Sequence, residues 1–245
     1  MRYSLFIAIV AFVMMAGCRE EQVESGPKQP VFQEYTLEKS EPGLYSVTIR
    51  YQRIANTEES DILQSIDLAN YATTFDGYVV EPADVEASAH LMATDYSAQF
   101  ADFQHFDSPW YSLDQEAFTA RDGRIVCFET QVSIYTGGAH GGHTLIYECY
   151  DLNSGQLYDF SYLLEGEWAE AVRTLLYERL LLEEDYLIIA SAEELHIPHS
   201  VLITEEGLTF VYQPYEIAAF SEGIISVELT DEEIEATGAP LVWMI

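Results

Sequence analysis

A chain of 245 residues with 10 Lys+Arg against 42 Asp+Glu carries a formal net charge of −32. That field disfavours nucleic acid, acidic lipid headgroups and lipopolysaccharide phosphates as partners, and it favours encounters with cationic ones. A composition that is 49% hydrophobic, with 17 tyrosines, excludes a disordered chain and is ample for one good-sized core.

Arg2, the apolar run Leu5 to Met15 and then Ala16-Gly17-Cys18 have the layout of a secretory signal. The run is short of the roughly 20 residues that a bilayer-spanning helix needs. With a cysteine at the cleavage point it resembles a bacterial lipoprotein signal, Met15 standing where leucine is more usual. The expectation is a signal peptide over 1–17 and a mature chain that begins at lipidated (palmitate-bearing) Cys18. Arg19-Glu20-Glu21 resembles the short export signals of some surface-displayed lipoproteins, which implies a cell-envelope location at the outer membrane or cell surface. Loss of 1–17 removes Arg2 alone, so 9 Lys+Arg remain against 42 Asp+Glu and the net charge becomes −33. Such acidity suits either partner selection or the solubility of an exported protein in salt, and charge alone leaves both open.

From 18 to 43 the chain is polar, with Pro27, Pro30, Pro42, Gly26 and Gly43, and reads as a flexible tether. The alternation of Tyr45, Val47, Ile49 and Tyr51 with Ser46, Thr48, Arg50 and Gln52 marks a half-buried strand. Asn56 followed by Glu59 predicts the cap of a helix carrying Ile62, Ile66, Ala69 and Phe75. Pro82 suits the first position of a second helix, whose stripe Val85, Ala89, Met92, Tyr96, Phe100 and Phe103 would lie on a sheet.

The middle of the chain predicts a meander of antiparallel strands with turns at Arg121-Asp122-Gly123-Arg124, at Gly137 to Gly142 and at Asn153-Ser154-Gly155. Trp168, Val172, Leu175, Leu176 and Leu180 define an amphipathic helix. A hairpin turning at Glu205-Glu206-Gly207 and a strand over 224–229 complete the pattern. Blocks of strands and helices without regular alternation predict an α+β fold, an antiparallel sheet with helices packed mainly on one face.

If Cys18 bears lipid, Cys127 and Cys149 are left as a pair. A hairpin centred on Gly138 sets them opposite each other, and either a disulfide or two buried free thiols is compatible with that register. His140 and His143, with Glu148, Cys149 and Asp151 a strand away, invite a metal reading. A glycine-rich loop lacks the stiffness that holds ligands, and the spacing is not that of a helical zinc motif, so no metal and no cofactor are expected. His196 and His199, flanking Pro198, read as solvated surface. No Gly-x-Ser-x-Gly turn or phosphate-binding loop is present, and carboxylate pairs carry little information in so acidic a chain. The chain therefore does not read as an enzyme.

Three stretches carry a resemblance: Tyr135-Thr136-Gly137-Gly138-Ala139-His140-Gly141-Gly142, Tyr150-Asp151-Leu152-Asn153-Ser154-Gly155, and the segment from Tyr212-Gln213-Pro214-Tyr215-Glu216 to Gly223. Together they resemble the extracytoplasmic domain shared by RsiV-type lysozyme-sensing anti-sigma factors and the non-catalytic region of PdaC-type peptidoglycan deacetylases, over Leu44 to Glu235. The resemblance implies a PdaC-like half at 44–142 and an RsiV-like half at 143–240 in one compact unit. It also implies that the Gly-Gly-Ala-His segment is a structural turn, and that the chain binds an extracytoplasmic ligand: a basic protein such as lysozyme, or a peptidoglycan-related glycan. Tyr135, His140, Tyr215 and Glu216 are the candidate partner-binding residues, as aromatic and polar groups on loops. The alternatives are a cell-wall hydrolase with a histidine-carboxylate or metal centre near the hairpin, and a structural envelope lipoprotein.

Overall fold

The computed structural model describes residues 26–101, 108–137, 139–182 and 186–244. The signal peptide, Cys18 and the Arg19-Glu20-Glu21 segment lie outside the described residues, as does Phe103. Among the described residues no helix is long and apolar enough to cross a membrane.

The architecture is α+β, built on two sheets. Strands β1 (Phe32–Glu41), β2 (Tyr45–Ile54), β3 (Trp110–Ala120), β4 (Ile125–Tyr135) and β5 (Gly142–Asp151) form a five-stranded sheet in sequence order. Between β2 and β3 the chain makes α1 (Asp61–Thr74) and α2 (Val85–Ala101), and this crossover makes β2–β3 the one parallel pair of that sheet. Helix α3 (Ala169–Leu182) precedes the three-stranded sheet β6 (Ser200–Ile203), β7 (Gly207–Tyr212), β8 (Ile225–Thr230), and α4 (Asp231–Ala236) follows it. The α+β class and the mainly antiparallel sheet expected from the sequence are present, and a second, three-stranded sheet joins them.

Alternation along β4 divides the packing. Val126 and Phe128 join α1 residues Leu63 and Ile66 in one buried cluster, and β2 residues Val47, Ile49 and Tyr51 pack with Ala89, Met92 and Phe100 of α2 in another. The other face of the sheet presents Ile125, Cys127 and Cys149 to a third cluster with Val172, Leu176 and Leu180 of α3 and the inner residues of β6–β8. Helices α1 and α2 therefore cover one face, while α3 and the small sheet close the other. A division at 142/143 falls one residue into β5 and parts it from its partner β4, so the natural seam lies after β5.

The tether expectation is corrected over 32–41, which is strand β1, paired with β2 along its whole length. It is an edge strand in which only Leu37 is buried, and Glu34, Thr36 and Glu38 face solvent as edge strands require, so its polarity imitates a linker. Pro42 and Gly43 belong to the hairpin turn: Leu44 N–H donates to the Glu41 carbonyl at 2.9 Å, and Gly43 supplies the φ of +78°. Asn56 is not the cap of α1. Ser60 is, its side chain accepting from Ile62 N–H, while Asn56 Oδ1 accepts from Val31 N–H and its amide donates to the Gln29 carbonyl. Gln29 in turn donates to the Gly123 carbonyl at 2.8 Å, which fixes the start of the fold at the β3–β4 turn. Pro82 precedes α2, which begins at Val85, and Asp84 Oδ1 accepts from Ala87 N–H at its first turn.

The β3–β4 turn also clamps the two sheets. Arg121, 5% exposed, donates to both Asp231 oxygens at 2.6 and 3.0 Å and to the Gly207 carbonyl. Trp243 Nε1–H donates to the same carboxylate at 2.9 Å, and Glu205 accepts from the Arg121 N–H. Removing one member of such a buried pair strands the other charge, at a cost of about 3–5 kcal/mol. Arg121→Ala and Asp231→Ala should each lower the unfolding free energy by that order, read from urea denaturation. Losses below about 1 kcal/mol would mean that the small sheet is held by its apolar face alone.

Candidate recognition surface

The tip of the β4–β5 hairpin and the turn after β7 meet at one end of the large sheet. At the tip the glycines serve tight geometry. Gly137 has φ +101°, and a Cβ on Gly141 would sit 2.6 Å from the Ile134 carbonyl oxygen, so no larger residue fits there without backbone movement. The loop presents His140, whose Nδ1 lies 3.1 Å from the Gly141 carbonyl and whose ring stacks on Phe220 with centroids 3.9 Å apart at 25°.

The turn after β7 is held by its own side chains and by β5. The Gln213 amide bridges the outer edge of β5, accepting from Leu145 N–H at 3.0 Å and donating to the Leu145 carbonyl at 2.7 Å, as a further strand would. Glu216 N–H donates to the Gln213 carbonyl, and the Glu216 carboxylate accepts from Gln213 N–H at 2.7 Å. In this reverse turn Pro214 takes the position that favours its fixed φ, and Tyr215 takes the next, at φ +75°, where glycine is the usual occupant. A left-handed conformation costs a side-chain-bearing residue about 1–2 kcal/mol. The strained residue is also 69% exposed, and its ring lies 5.4 Å from that of Phe220.

His140, Phe220 and Tyr215 thus form a run of rings along a hollow of about 420 Å³, floored by Val132 and Ile134 and edged by Gly141 and Pro214. No carboxylate lines it. Four other hollows carry them: Glu34, Asp84 and Glu86 in one, Glu205, Glu206 and Glu228 in another, Asp151 and Asp159 in a third, and Asp159 in a fourth.

Of the four candidate residues, His140 and Tyr215 come together here through Phe220, which sequence reasoning did not single out. Glu216 closes the turn from inside, its carboxylate 3.9 Å from His196 Nε2, and does not line the hollow. Tyr135 lies on the opposite face of β4 from Val132 and Ile134 and does not line it either. The signal for Phe220 and Gln213 was present only as position within the Tyr212 to Gly223 stretch.

His143 also lines the hollow, with its Nδ1 3.1 Å from Ser133 Oγ, and takes no part in the ring stack of His140. Among the described residues no group of three or more His, Cys, Asp or Glu is placed to hold a metal ion. Asp151 accepts from Asn153 and Ser154 in the turn after β5, and Glu148, whose pKa is raised by desolvation, accepts from Tyr150. Cys127 and Cys149 are register partners, both buried, with Sγ atoms 2.8 Å apart.

These contacts separate scaffold from surface. Gln213→Ala should cost about 1–3 kcal/mol, because both Leu145 backbone groups lose their partner. Tyr215→Gly should hold stability or raise it by up to about 1 kcal/mol, as the left-handed strain is relieved at some cost in chain entropy. Thermal or urea unfolding decides between these roles. A Tyr215→Gly loss above about 1 kcal/mol would make the ring a packing element.

Residues 169–232, from α3 to the start of α4, match the family model described as a protein of unknown function (DUF3298). No curated protein sequence matches the chain. Among solved structures, the chain is similar to a DUF3298 family member from Bacteroides fragilis NCTC 9343, with a TM-score of 0.71 and 15% identity over 86% of this chain and 94% of that one. A DUF3298 family protein from Pseudomonas aeruginosa PAO1 superposes with a TM-score of 0.60 and 16% identity over 85% of this chain and 94% of that one. At such identities the likeness is one of fold, and by fold and by its matched segment this chain is similar to the DUF3298 proteins.

Proposed function

We propose that this chain is a lipid-anchored binding protein of the cell envelope, held by Cys18, which captures a cationic extracytoplasmic protein of the lysozyme type through the Tyr215 turn. The observation that carries the reading is Tyr215 itself: an aromatic side chain held exposed by a backbone conformation that opposes it. Strain of that kind is kept where a side chain must be displayed, and aromatic residues on rigid turns are the commonest anchors of protein interfaces. The net charge of −32 supplies long-range steering of a basic partner, and the carboxylate-free hollow supplies a contact that does not require desolvating a carboxylate. Resemblance to the RsiV-type sensing domains supports the same ligand class.

A second reading is favoured by the hollow's carboxylate-free, aromatic lining: a glycan of peptidoglycan type, stacked on Tyr215 and Phe220. His140 is engaged with Phe220 and with the chain next to it, an arrangement that favours recognition over hydrolysis.

Titration of residues 19–245 with lysozyme at low and moderate salt tests the proposal. Binding should occur and weaken as salt screens the field, and Tyr215→Ala and Phe220→Ala should each reduce affinity about tenfold or more, with the melting temperature of Tyr215→Ala retained. Absence of binding at both salt concentrations removes the cationic-protein reading. Saturable binding of soluble peptidoglycan fragments, lost in Tyr215→Ala, would put the glycan in its place.

A further inference from the structure

We infer that Cys127 and Cys149 are the halves of a buried cross-strand disulfide that is made before the small sheet closes over the large one. The two residues are register partners on adjacent strands, and their side chains share the sheet face that meets the second sheet. They are 0% and 2% exposed. β6 lies directly over them: Ile203 N–H points at Cys149 Sγ at 3.5 Å, and the Val201 carbonyl lies 3.9 Å from the same sulfur. The buried Cys127 thiol is held well above its ordinary pKa, first by its hydrogen bond with Cys149 and then by desolvation. In the finished fold Cys127 is therefore a poor nucleophile, and both sulfurs are buried.

Thiol–disulfide exchange needs a third sulfur in line with the attacked one, and in the closed fold both cysteines are buried. The route available is thiol–disulfide exchange with an external disulfide on the β4–β5 hairpin while β6 is still away. One cysteine sulfur attacks the external disulfide and expels its first thiol. The second cysteine then displaces the remaining thiol from the mixed disulfide. Two cysteine thiols are oxidised, one external disulfide is reduced to two thiols, and the two protons pass from the cysteines to those products. Such a bond closes a loop of 22 residues in sequence separation, which includes the Gly137 to Gly142 tip, and β6 then shields it from reductants. The inference does not depend on the ligand.

Residues 19–245 contain two cysteines, Cys127 and Cys149, so the readout is unambiguous. The reduced, unfolded chain is refolded in glutathione disulfide, then denatured and alkylated, and its intact mass is measured. No alkyl group should add, and the oxidised protein should melt about 10 °C above the reduced one. Alkylation of both sulfurs overturns the bond. The folded oxidised protein should keep the bond in dithiothreitol and lose it when denaturant is added, and the folded reduced protein should resist glutathione disulfide. Ready reduction or oxidation without denaturant overturns the order of events.

Discussion

Edge strand β5 is the constraint on which the arrangement of this molecule turns. A sheet edge exposes backbone donors and acceptors that must find partners. Here they find side chains of the second sheet: Gln213 serves both groups of Leu145, and Ser200 Oγ accepts from Tyr147 N–H at 2.9 Å. A side-chain amide thus stands where a sixth strand would otherwise lie. Because Gln213 is also the first residue of the Pro214-Tyr215 turn, satisfying the edge fixes that turn beside the His140 tip. Closure of the fold and construction of the hollow are one event.

Two further contacts make the seam rigid at its other end. The Arg121–Asp231–Trp243 cluster ties the β3–β4 turn to the start of α4 and the chain's last described turn, and Arg179 pairs with Glu233, the residue that completes the capping box of α4. Between the two ends, the interface is apolar, with Cys127, Ile125, Leu176, Val201, Ile203 and Phe210 in one cluster. Polar contacts at both ends set the register between the sheets, and the apolar middle supplies most of the burial.

The fold class was legible because period and punctuation agreed. The Val47, Ile49, Tyr51 alternation, the Val172, Leu176, Leu180 stripe and the turn residues each specify local structure that tertiary packing then used. The pairing of Cys127 with Cys149 followed from counting outward from the hairpin centre, and the sheet has that register. What was not legible depended on distant partners. β1 resembles a linker because an edge strand avoids apolar residues, and only its pairing with β2 reveals it. Asn56 has the chemistry of a helix cap, yet its amide is spent on Gln29 and Val31, which no local pattern announces. At the hollow, Tyr215 could be picked out as a loop aromatic. Glu216 looked equally accessible, though its carboxylate turns inward to Gln213. Phe220, which joins His140 to Tyr215, becomes visible only once two segments some 80 residues apart are brought together.

The place where the fold begins has an orientational consequence. Gln29 is fastened to Gly123, just before β4, whereas the hollow lies at the far end of that strand, which runs from Ile125 to Tyr135. At roughly 3.3 Å per residue those eleven residues separate the two ends by about 35 Å. With an acyl chain at Cys18, the long axis of the sheet would act as a mast. The membrane-proximal pole would hold the N-terminal fastening, and the aromatic rings would stand at the opposite pole, clear of the lipid headgroups and open to whatever diffuses past.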